Sequence, residues 1–91
     1  MVPVVEFPDF FTPNGDGIND TWFIEGLPEG DHKVSILNRW GDVIWETESY
    51  DNWDNPWNGT NQGGKAMPSG VYYYVVQVFD RSFKGFIELT R

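Results

Sequence analysis

Cysteine is absent from this chain of 91 residues, so no disulfide staples it and no thiolate can act as nucleophile or metal ligand. One histidine, His32, and no cysteine exclude the usual zinc ligand sets. Basic residues are scarce: six lysines and arginines against fourteen acids leave a formal charge of −8. Phosphate binding needs a basic stripe, so nucleic acid is excluded as a partner. No run approaches the roughly 18 apolar residues of a spanning helix, which argues against membrane insertion. No basic start leads into a hydrophobic stretch, and Met1-Val2-Pro3 reads as the start of an excised domain.

Aromatic side chains are what the chain has instead. Sixteen residues are Phe, Trp or Tyr, each burying about 150–250 Å² when enclosed. One core of this size cannot be divided, so residues 1–91 are expected to form one domain, a monomer held by packing.

Helical periodicity is nowhere convincing, whereas alternation of the β type recurs. Val2–Phe7 reads as an edge strand, with Pro3 and Pro8 suited to an edge. Trp22–Glu25 reads as a second strand and residues 26–31 as a turn. Lys33–Arg39 and Val43–Glu46 are expected to pair as a hairpin. Arg39, Trp40 and Gly41 lie in its turn, where Gly41 supplies a positive φ. Arg39 either docks a partner or stacks on an aromatic ring and fixes the hairpin. Residues 47–69 lack apolar alternation, yet Trp53 and Trp57 are expected to pin them to the domain edge. Val71–Phe79 is apolar on both faces and reads as a central strand, followed by a turn at residues 80–82 and a last strand over Lys84–Thr90. Six or seven short strands with glycine-rich turns predict an all-β fold, an Ig-like antiparallel β-sandwich.

Thr12-Pro13-Asn14-Gly15-Asp16-Gly17-Ile18-Asn19-Asp20 puts short oxygen-bearing side chains at alternate positions of a glycine-rich loop. Asn14, Asp16 and Asp20, with the Ile18 carbonyl, stand where Ca2+ would want ligands. The spacing resembles the N-x-D-G-x-x-D part of EF-hand-related loops. Thr12 replaces the first aspartate of such loops. The alternative is a turn in which Asn and Asp bond their own backbone.

No catalytic group can be assembled. His32 has no obvious serine partner and reads as a turn histidine. The acids Glu46, Glu48, Asp51 and Asp54 would satisfy a glycosidase pair only as any acidic loop would. Trp40, Trp45, Trp53 and Trp57 suggest a sugar-stacking platform, weighed against use as core and loop anchors. An enzyme is not expected; a calcium-stabilised carbohydrate-binding module or an adhesin spacer is the alternative to the reading that follows.

Several pieces occur in one order: Phe11 to Asp20, Asn38-Arg39-Trp40-Gly41, Trp57-Asn58-Gly59, Pro68-Ser69-Gly70-Val71-Tyr72-Tyr73-Tyr74 and Lys84 to Arg91. Together they closely resemble the gliding motility-associated C-terminal domain, the type B sorting domain of the Bacteroidetes type IX secretion system. The likeness runs from about Phe7 to Arg91, and an end at Arg91 suits a domain that closes its parent protein. Asn58 departs from the family's usual Trp-Asp-Gly. The resemblance implies a signal that directs a large passenger, such as a gliding adhesin, from the periplasm to the cell surface or medium. It also implies a PorP/SprF-like outer-membrane protein as partner. Arg81, Lys84 and Arg91 against Glu88 give the last eleven residues a positive balance, and Lys84, Gly85 and Arg91 are the expected recognition residues. For Lys84-Gly85 the alternative is a β-bulge or the start of a strand.

Overall fold

The computed structural model describes residues 7–13, 20–26, 32–79 and 81–91. The body of the expected Val2–Phe7 strand, most of the 26–31 turn, and Asn14, Asp16 and Ile18 lie outside the described residues. Among the described residues there are five strands: β1 (Phe10–Phe11), β2 (His32–Leu37), β3 (Val43–Thr47), β4 (Gly70–Val78) and β5 (Arg81–Leu89). The described residues are all-β, without a helix.

The strands form a single sheet in the order β1-β5-β4-β2-β3. β1 runs parallel to β5, and the remaining pairs are antiparallel. The sheet is therefore mixed, with fewer strands among the described residues than the six or seven expected. β1 was not foreseen: two residues are too short for alternation to show.

Alternation decides which face of the sheet is covered. Val34 and Ile36 of β2, Trp45 of β3, Tyr72, Val76 and Val78 of β4, and Ile87 and Leu89 of β5 all point inward and are buried. Each such aliphatic side chain contributes about 1.5–3 kcal/mol. The layer over them is Phe11, Trp22, Ile24, Tyr50 and Trp57, contributed by β1 and by segments outside the strands. Trp22 and Ile24 are buried and Phe23 is exposed, as a strand would require. Among the described residues, 22–24 join no ladder and Glu25 alone of the expected strand forms a bridge, because the backbone is bonded otherwise. Trp22 N–H donates to the Trp57 carbonyl at 2.9 Å. Asn52 takes both groups of Ile24, accepting from its N–H at 2.9 Å and donating to its carbonyl at 2.8 Å. One side-chain amide thus replaces a strand partner.

The hairpin expected over residues 33–46 is present as β2 and β3. Asn38 builds its turn: its side-chain oxygen accepts from Trp40 N–H and Asp42 N–H, each at 3.0 Å. Gly41 takes φ 84°, the left-handed residue that closes a three-residue loop. β4 and β5 pair up to Val78 and Arg81, so β5 already begins at Arg81, inside the turn expected over residues 80–82. Phe79 leaves the strand with φ 54° and is exposed.

The long connection from residue 48 to 69 holds two isolated bridges, Asp51 with Asn55 and Thr60 with Ala66. Trp57 anchors it as expected, fully buried with its indole N–H on the Thr60 carbonyl at 2.8 Å. Trp53 does not: it is 81% exposed and lies edge-on to Phe23 at 5.6 Å. Gln62 covers the outer edge of β3, donating from its backbone N–H to the Ile44 carbonyl at 2.7 Å and accepting from Glu46 N–H at 2.8 Å. An edge so occupied cannot recruit a foreign strand at those positions.

Candidate recognition surface

Three of the sequence pieces meet at Arg91. Its Nε donates to the Met67 carbonyl at 2.6 Å, one terminal nitrogen to the Gly59 carbonyl at 2.6 Å, and the other to the Pro13 carbonyl at 3.5 Å. Its backbone N–H donates to Ser69 Oγ at 2.9 Å. A planar guanidinium spreads five donors over a fixed fork and so reaches carbonyls on different sides, whereas an ammonium gathers its three donors at one point. Gly59 permits the approach. It has φ 87°, and a Cβ there would lie 2.6 Å from Leu89 Cδ1 and 2.8 Å from the Arg91 nitrogen.

The other two expected recognition residues separate. Lys84 is exposed on the outer face of β5, opposite Val75. Gly85 points inward beneath the ring of Tyr74, and the β4–β5 register runs through it without a bulge. Gly85 has a packing role that the sequence alone did not reveal. Asp20, the described member of the candidate cation set, is half-buried.

Arg39 and Trp40 stand exposed at the tip of the β2–β3 turn, the guanidinium 4.3 Å from the indole centroid. Opposite them the Pro68–Tyr72 segment closes a cavity of about 330 Å³. That wall is held from behind. Tyr72 Oη donates to the Pro68 carbonyl at 2.7 Å, and Arg91 grips Met67 and Ser69. Burial pushes the Tyr72 phenol up, and the Arg91 charge partly opposes this. Pro68-Ser69-Gly70 was visible as a motif, but its service as a cavity wall was not.

The outer face of the sheet is exposed where β4 had promised apolarity on both sides. Phe10, Val71, Tyr73 and Phe86 lie there about half exposed, in cross-strand rows such as Phe86 beside Tyr73. β4 is central, between β5 and β2. Its second apolar side is surface rather than core. Exposed aromatics gathered in one region mark interaction sites more often than chance surface.

The catalytic alternatives do not assemble. His32 opens β2, and its Nε2 accepts the Tyr50 backbone N–H at 2.9 Å, a structural contact in place of the expected turn position. Glu46 faces Lys33 at 3.5 Å. Asp51 Oδ1 accepts from Trp53 N–H at 2.8 Å and Asp54 N–H at 3.0 Å, and these bonds hold its carboxyl below the usual range. Trp45 and Trp57 are buried, so the four-tryptophan platform does not form. No cluster of three metal-type side chains occurs among the described residues.

The sequence matches the CHU_C type IX secretion signal domain over residues 5–89. The chain belongs to this family. Such a family is not one of enzymes, and membership places the chain among signals for export across the outer membrane to the cell surface or extracellular space. The solved structure of PorZ, an essential surface component of the type IX secretion system of Porphyromonas gingivalis, superposes with a TM-score of 0.67 at 26% identity. The match covers 96% of this chain and 11% of the PorZ chain, so the domain spans only a small part of that protein. No curated protein matches.

Proposed function

We propose that this type IX signal domain carries a large passenger across the outer membrane by docking, already folded, to a PorP/SprF-like outer-membrane protein. The family match over nearly the whole chain carries the reading. Two features support the docking step. The candidate catalytic groups have structural employment, and exposed aromatic residues stand on an ordered sheet and turn. A rigid label of this kind loses little conformational freedom on binding, which favours recognition independent of cargo.

Fusion of the 91 residues to an inert fluorescent protein in a type IX-competent cell tests the proposal. Surface delivery is expected to require both the domain and the PorP/SprF-like protein. Delivery that persists after removal of the domain would reject the sorting role. Delivery that needs the domain but not that membrane protein would reject the named partner.

A further inference from the structure

We infer that the cavity between the Asn38–Trp40 turn and the Pro68–Tyr72 segment is the docking notch of the signal. Its occupant is a partner segment that carries a carboxylate beside an apolar side chain. The inference rests on the sorting role proposed above and names the surface and chemistry that perform it.

Charge selects the occupant. The chain is strongly acidic, with a formal charge of −8, yet no acid lines the notch and Arg39 is its one charged side chain among the described residues. The guanidinium lies with its carbon 4.3 Å from the Trp40 ring centroid. A guanidinium presents its N–H donors along an in-plane edge, a fork that takes a carboxylate at two points. No hydrogen bond or ion pair to that edge is present among the described residues. An anion arriving here meets local attraction, while the acidic body repels anions elsewhere. Specificity thus comes from position.

The apolar half of the occupant is set by Trp40 and Val71. Trp40 is 72% exposed, and Val71 leads from the notch onto the outer sheet face beside Tyr73. Tryptophan and arginine are the side chains that most often dominate interface energies. Both walls are ordered before any partner arrives. Asn38 fixes the turn through two backbone N–H groups, and Arg91 with Tyr72 fixes the opposite segment.

The test uses the fluorescent fusion with Trp40→Ala, Val71→Glu, Arg39→Gln and Arg39→Lys, with Trp53→Ala as control. Melting of each purified chain checks that it folds, which the exposure of these residues predicts. Trp40→Ala, Val71→Glu and Arg39→Gln are each expected to lower surface delivery roughly tenfold or more. Arg39→Lys keeps the charge but not the fork and is expected to fall between Arg39→Gln and the parent. Trp53→Ala is expected to deliver as the parent does. Binding of the purified domain to the detergent-solubilised PorP/SprF-like protein is expected to follow the same order and to weaken with salt.

Parental delivery by folded Trp40→Ala and Val71→Glu would overturn the notch. Loss with those two but parental delivery by Arg39→Gln would overturn the carboxylate. If deletion of the whole domain leaves delivery intact, the sorting role fails instead, so the two failures are distinguishable.

Discussion

Tyr74 and Gly85 face each other across β4 and β5, and the phenol ring fills the space that a side chain at residue 85 would need. A Cβ there would lie 2.5 Å from Tyr74 Oη and 2.6 Å from Cζ. The ring cannot simply swing away, since it stacks on Phe7 at 4.9 Å and meets Trp22 at 5.0 Å. Gly85→Ala is therefore expected to overpack the inner face and cost about 1–3 kcal/mol. In a domain of this size that lowers the midpoint by roughly 4–8 °C per kcal/mol. Adding Tyr74→Leu should recover part of the Gly85→Ala loss, which thermal melting of the single and double variants would measure. Strict additivity would show that the steric account is wrong.

Arg91 is expected to act on stability before any effect on recognition. Removing the side chain takes a donor from the carbonyls of Met67 and Pro13 and one of two donors from that of Gly59, which keeps the Met67 N–H, and should cost about 1–3 kcal/mol, toward the low end because the residue is exposed. Arg91→Lys should recover little of this, since an ammonium does not reproduce the fork. Chemical denaturation checks the order. An Arg91→Ala chain as stable as the parent would remove the residue as a loop clamp. Charge reversal at Lys84 and Arg91, the obvious probe of a basic recognition face, thus needs a stability measurement beside every export measurement.

Tyr50 makes the domain sensitive to alkali. Its phenol donates to the Trp22 carbonyl and accepts from Trp57 N–H, and burial pushes its pKa well up. The unfolded chain loses this proton near pH 10 and the folded chain keeps it. Between those points the folded state binds more protons, so stability falls as pH rises and is unaffected well below pH 10. Melting as a function of pH should show this fall, and Tyr50→Phe should flatten it. That variant should also cost about 2–4 kcal/mol at neutral pH by stranding two buried backbone groups. An unchanged alkaline slope in Tyr50→Phe would assign the effect to other tyrosines, such as Tyr74, whose phenol burial also raises.

Calcium provides a separate test. The oxygens of Asn14, Asp16 and Asp20 with the Ile18 carbonyl are our proposed ligand set, read from sequence spacing. A structural ion at about 100 times its dissociation constant would add about 2.7 kcal/mol. Melts in calcium and in chelator should differ accordingly, and the difference should vanish in Asp16→Ala. Equal midpoints in the parent would remove the site.

Legibility varied with the physics of each element. β2, β3 and β5 are readable because alternation along one chain is a local property, β4 because its run is apolar on both faces, and Gly41 marks the hairpin because few other residues take its φ cheaply. Trp22–Ile24 carried the same alternation but gained side-chain and loop partners from Asn52 and Trp57 instead of a neighbouring strand. Periodicity reports which side chains are buried, not who bonds the backbone. The residues at the notch were visible as motifs. Their juxtaposition was not, because Trp40 and Pro68 lie far apart along the chain.

The amino-acid sequence by itself determined an all-β chain without thiol chemistry, strongly acidic and dependent on aromatic burial, and its ordered motifs sufficed to place it in a family. Only the tertiary structure decided which aromatics are core and which are surface. Trp22 and Trp57 are fully enclosed while Trp40 and Trp53 face solvent, although all four are the same residue type. Burial depends on which segments cover which face of the sheet. That is fixed by long-range pairings such as Phe11 with Leu89 and by the hold of Arg91 on Pro13 and on the connection from residue 48 to 69, and no local pattern encodes them.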